Sequence, residues 1–172
     1  MANKHTLVVI ASIAVIAGAI GYSSLGVLSL DDVQSRWFQQ GNFDYSLLLF
    51  GGKVLVCNNS DFQSHIKSYS FKMDYDGGDL GTFVASGASI APHTAATMNG
   101  KFVTGDKRVS ESMLSFINTE LNGRDVSRID AGKMSVVVTK ETAIMGFIPV
   151  SVSQEYSGEE FLNMMNQKTD CD

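Results

Sequence analysis

Hydrophobic and polar positions divide this chain into two unlike parts. From Thr6 to Leu30 no residue carries a charge, and Leu, Val, Ile, Ala and Gly dominate. As a helix this run reaches roughly 37 Å, enough to cross a hydrocarbon core of roughly 30 Å with some tilt. Beyond Asp31-Asp32 the apolar residues come in short runs broken by Asn, Asp, Gly and Pro. That is the spacing of strands and turns.

Ser29, with Asp32 three residues on, predicts a capped juxtamembrane helix through Gln39. Tyr45–Phe50 and Lys53–Cys57 read as one long strand bent at Gly51-Gly52. Asn58-Asn59-Ser60-Asp61 ends it in four turn-formers. Ile66–Tyr75 alternates so that Tyr69, Phe71 and Met73 face a core. Asp76-Gly77-Gly78-Asp79 is a hairpin turn of the kind that needs positive φ. Leu80–Ser86 returns from it, Ser89–His93 crosses over at Pro92, and Thr94–Thr104 is the next strand. Between Val109 and Asn122 the period changes: Val109, Met113, Phe116, Ile117 and Leu121 fall at helical spacing, with Gly123 as C-terminal glycine. Met134–Thr139 and Ile144–Ser153 are further strands, and Ser157 to Glu160 is a capping box opening a short C-terminal helix. The tally predicts a mainly β fold, an antiparallel β-sandwich with one internal amphipathic helix, behind a single N-terminal transmembrane helix.

The apolar start has three readings. It is an uncleaved signal-anchor, a signal peptide cleaved at Ala17-Gly18-Ala19, or the buried assembly helix of a filament subunit. As an anchor its orientation follows from Lys4 before the span and Asp31 and Asp32 after it. The N-terminus lies in the cytoplasm and the domain outside. Trp37 and Phe38 stand just past the span, either at headgroup level or packed on the domain. Small residues at Ala14, Gly18 and Gly21 permit close helix packing, as in an accessory subunit partnered with other membrane or envelope proteins.

Charge narrows the partners further. Net charge is −5, and the 13 Lys and Arg are scattered, which argues against nucleic acid, whose phosphates call for a basic patch. The histidines His5, His65 and His93 have no metal-ligand spacing, and neither GxSxG nor GxGxxG occurs. No catalytic residue or cofactor is assigned. Asp74, Asp76 and Asp79 are candidate calcium ligands, against a plain charged hairpin tip. Asn58-Asn59-Ser60 is a glycosylation sequon, against a turn asparagine. Cys57 and Cys171 are the two cysteines, either a disulfide in an oxidising compartment or two thiols, one buried and one exposed.

A family likeness runs from Phe43 to Glu155. Val56-Cys57-Asn58, the aromatic strand and glycine turn from Tyr69 to Gly81, the loop Ile90-Ala91-Pro92, the helix Val109–Leu121 and the two β-runs within 135–155 follow one another in order. This resembles the water-stress and hypersensitive-response (WHy) domain of LEA14-like (LEA type 2) proteins. Ala91-Pro92 stands where that family has two prolines, and Asn58-Asn59 where Asn-Pro is common. The resemblance implies a Greek-key-like sandwich, no catalytic residues and a desiccation- or stress-related role. The division then expected is an anchor at 1–30, a juxtamembrane segment at 31–42, the LEA14-like domain at 43–156, and a helix and tail at 157–172.

Overall fold

The stretch that alternates most cleanly becomes the axis of the sheet. In the computed structural model, which describes residues 3–106, 129–144 and 146–168, strand β3 (Ser64–Tyr75) pairs with β4 (Gly78–Ile90) on one side and β6 (Met134–Ile144) on the other. With β1 (Val33–Trp37), β2 (Gly52–Asn58), β5 (Thr94–Thr104) and β7 (Ile148–Ser157) they form one antiparallel sheet in the order β1-β2-β5-β4-β3-β6-β7. Among the described residues three α-helices accompany it: α1 (Lys4–Leu28), the short α2 (Tyr45–Leu49) and α3 (Gly158–Asn166). The expected amphipathic helix Val109–Asn122 lies outside the described residues.

The hairpin between β3 and β4 forms where the sequence predicts it. Tyr75 pairs with Gly78, and the two residues between them, Asp76 and Gly77, have φ of 51° and 80°. Positive φ at both central positions gives a turn whose twist matches that of the strands. From this hairpin Tyr69, Phe71 and Met73 all point into the core, each 1% exposed or less.

The core is an aromatic stack under a curled sheet. Phe71 and Phe83 lie face to face at 5.5 Å, and Phe161 of α3 meets Phe71 edge-on at 5.1 Å. Phe43 and Tyr45 pack around Phe161. The ring of Phe83 sits over Gly100, where any Cβ would come within 2.0 Å of it. The curl is visible in one bond: the hydroxyls of Ser35 on β1 and Tyr69 on β3 meet at 2.5 Å although three strands separate them in the sheet. Helix α3 fills the remaining gap and touches β1, β6 and β7. Its capping box is present, with Ser157 accepting from the Glu160 amide and the Glu160 carboxylate accepting from the Ser157 amide.

Two expectations are corrected here. Tyr45–Leu49 is helix α2 and not the first half of a strand. Asp44 accepts from the Ser46 amide at its start, and the helical turn lets Tyr45 and Leu48, three apart, both face inward. The juxtamembrane helix is instead strand β1, in register with β2 from Val33↔Asn58 to Trp37↔Val54. Ser29 ends α1 rather than starting a helix; its hydroxyl bonds to Gly26 O and to the Ser64 hydroxyl. Val33 and Trp37 belong to the core, as do Phe161 and Met165 near the other end. The folded unit therefore begins before residue 43 and runs past 156.

Since Phe161 is fully buried at the junction of helix and sheet, Phe161→Ala should cost about 3–5 kcal/mol. Thermal melts of the full chain in mild detergent measure the loss. An unchanged midpoint would remove α3 from the cooperative core.

Candidate functional site

Among the described residues, the side chain of Asn58, at the end of β2, is unusually heavily bonded. Strands β4 and β5 pair only between Gly81–Ala85 and Gly100–Thr104; beyond that, β4 stays with β3 and β5 with β2. The end of β2 and the end of β4 face each other across the parting. Asn58 closes it. Its Nδ2 donates to Phe62 O (2.7 Å), Ile90 O (3.2 Å) and Ala91 O (3.2 Å), and its Oδ1 accepts from the Ser60 amide (3.2 Å) and hydroxyl (2.8 Å). Asn58 is fully buried. The nitrogen that a glycan would need is thus enclosed and committed to backbone carbonyls, so in this fold the sequon serves as a structural clasp. Cys57 beside it is also buried and is disulfide-bonded. Cys171, the chain's other cysteine, lies outside the described residues.

A polar strap spans the opening between β1 and β6. Lys140 shares strand parity with the buried Val136 and Val138, so it points inward. Its Nζ donates to Leu30 O (2.7 Å) and Val33 O (2.8 Å). Burial pulls the Lys140 pKa down, against the opposing pull of Asp31 and Asp32. It lines a gap of about 250 Å³ with Ser35, Tyr69, Tyr156 and Gln154. Burial holds Tyr69 well above the ordinary tyrosine range, partly offset by its bond to Ser35. Composition and motif do not reveal this group. The signal was available, however, in a lysine that continues the inward parity of an apolar strand.

A cavity of about 630 Å³ opens where α1 meets the sheet. Its walls are Tyr22, Ser23 and Gly26 of α1 and the adjoining ends of β3, β4 and β6. Gln63 Nε2 donates to Ser89 Oγ (3.0 Å), which bonds His65 Nδ1 at 2.7 Å. The Thr142 hydroxyl donates to His65 O beneath them. Phe62, Ile66, Ala88 and Ala143 supply apolar wall, and Lys67 a cation.

The remaining candidates are dispersed. Asp74 and Asp79 sit opposite each other in the hairpin, while Asp76 turns to Lys133 at 3.7 Å. Among the described residues, no group of three or more His, Cys, Asp or Glu is arranged to hold a metal. His93 pairs with Asp61 at 2.9 Å on the surface. His5 lies on α1, far along the chain from both other histidines. No protein-family model matches the chain, and a search of curated proteins returns no match.

Two predictions test these assignments. Asn58→Ala strips Ile90 O, Ala91 O and Phe62 O of their shared donor and should destabilise the domain by about 3 kcal/mol. Asn58→Asp should be worse, because it turns a carboxylate toward carbonyl oxygens. Thermal melts decide, and a neutral Asn58→Ala would show that the parting is held elsewhere.

The second concerns alkaline pH. Burial raises the pKa of both Tyr69 and Tyr45. The folded chain keeps those protons longer than the unfolded chain, so their contribution is full below about pH 10 and lost as pH rises past it. Lys140 acts oppositely: its folded pKa is lowered from 10.5, so stability rises with pH between that lowered value and about 10.5. Above that point only the tyrosine loss remains. Tyr69→Phe should flatten the alkaline fall in melting temperature, and Lys140→Met should abolish the gain just below it.

Proposed function

We propose that this chain is a non-enzymatic, membrane-anchored LEA14-like domain held outside the cytoplasm, with a protective or binding role at the membrane surface. One observation carries the reading. Helix α1 is long and apolar enough to cross a membrane; it has no buried residue, and it passes into the sheet with only a short turn between them. Leu7, Ile10, Ile13 and Ile16 are all more than half exposed, a surface that water does not tolerate over such a length. A signal sequence has the same composition and passes the same test; the end of α1 is in either case built into the domain, since Leu30 is fully buried and Ser29 bonds Ser64.

Further features support parts of the reading. The bonded Cys57 supports an oxidising compartment, since disulfides do not persist where thiol reductants dominate. The pairing of β2 with β5 beside the β3-β4-β5 meander supports the Greek-key-like connection that the family resemblance implies. Around Gly18 and Gly21 a Cβ would meet nothing within 4 Å, which keeps alive the second reading, an accessory subunit packing α1 against a partner helix.

Protease treatment of intact cells carrying a C-terminally tagged chain tests the topology. The tag should be digested without permeabilisation, and thiol-reactive label should enter the isolated protein only after reduction. A protected tag together with a freely labelled Cys57 would sink the outward placement. A protein for tests of protection during drying should retain Leu30, Val33 and Trp37, because a fragment starting at Gln40 lacks β1.

A further inference from the structure

The cavity beside α1 gains its meaning from where it stands along that helix. From Lys4 to Gly21 the helix is exposed all round, a length of roughly 27 Å, close to the roughly 30 Å of a hydrocarbon core. At the next residue the cavity wall begins, with Tyr22, Ser23 and Gly26. If α1 fills the bilayer, the cavity sits at the headgroup level of the outer leaflet. The domain has no slack to lift it away. Ser29 and Leu30 are buried, Lys140 grips the Leu30 carbonyl, and Gly26 lies close enough to Gln63 O that an added Cβ would stand 3.5 Å from it.

The lining matches that position. In a chain of net charge −5, the described lining holds Lys67, His65 and no carboxylate. Behind this polar rim lie Phe62, Ile66 and Ala88. Phe147, 69% exposed, follows Gly146 of the lining, and Phe62 is 40% exposed; aromatic rings favour the membrane–water interface. The volume, about 630 Å³, falls in the range of ligand cavities.

We propose that this cleft is a lipid site. It takes one phospholipid laterally from the bilayer that holds α1, with the upper chain segments against Phe62, Ile66 and Ala88. The phosphate faces Lys67 and the Gln63–Ser89–His65 hydrogen-bonded row. The proposal rests on the reading of α1 as a spanning anchor, and the test separates the two.

Full-length protein is reconstituted into phosphatidylcholine vesicles doped with a phosphatidylcholine carrying a photoactivatable group high on one chain, and cross-links are mapped to peptides. Label is expected on α1 and on the peptides holding Phe62–Lys67 and Ala88-Ser89. Ser89→Trp fills the cleft from an exposed position, and Lys67→Glu reverses its cation, also from an exposed position. Either should cut the cleft label several-fold while leaving the α1 label and the melting temperature unchanged. Label on α1 alone, or cleft label indifferent to both variants, overturns the lipid site and leaves the cleft to a protein partner. No label on α1 overturns the anchor and the lipid site with it.

Discussion

A curled seven-stranded sheet must keep water off its concave face, and the rest of this structure follows from how that is done. The sheet curls until Ser35 on one edge strand reaches Tyr69 near the other side. Among the described residues no strand pairing closes the opening that remains. Helix α3 closes it by seating Phe161 on Phe71, with Phe43 and Tyr45 around it. Edge-to-face contacts of this kind add to the area they bury, so the aromatic cluster is both filler and lock. Where the rings stop, Lys140 takes over. Burying an ammonium is unfavourable in itself, and the two carbonyl acceptors from Leu30 and Val33 offset that penalty. A hydrocarbon side chain there would leave those bonds unmade.

The same closure ties the domain to its helix. Lys140 holds the Leu30 carbonyl in the short turn after α1 and the Val33 carbonyl at the start of β1, and Ser29 is bonded to the first residue of β3. The direction of α1 is thereby coupled to the orientation of the sheet. Many anchored domains swing on polar linkers; this one is set upon its helix. The ends of β3, β4 and β6 are then held at a fixed position along α1.

Much of this was legible in the residues, and the failures share a cause. The apolar span, the parity of Tyr69, Phe71 and Met73, the Asp76-Gly77 turn and the Ser157–Glu160 capping box are all local patterns, and each appears where it was read. Tyr45–Leu49 was misread because a five-residue apolar run has no period long enough to separate helix from strand. Its capping aspartate, Asp44, was the better guide. Strand β1 was misread because Ser29 and Asp32 imitate a helix start, while Val33, Ser35 and Trp37 alternate over five residues only. Asn58 was legible as a turn residue and as a sequon. Its use as a clasp depends on carbonyls about thirty positions away, and no local pattern reports which strand end will arrive there.

The cleft illustrates the limit more sharply. Four separate segments build it: the end of α1, the loop before β3, the end of β4 and the end of β6. None of them carries a motif, because lipid recognition asks for volume, an apolar wall and a cation near the phosphate rather than for fixed spacing between nucleophile and base. Three inward polar side chains elsewhere are committed to the fold: Asn58 and Lys140 to backbone carbonyls, Tyr69 to Ser35. The polar row of Gln63, Ser89 and His65 differs from them in facing a cavity from exposed positions. Here exposed side-chain hydrogen bonding, apolar wall and a cation coincide with open space. On the proposed reading of α1 as a spanning anchor, its place at the helix's exit from the apolar run makes the bilayer the nearest source of a ligand.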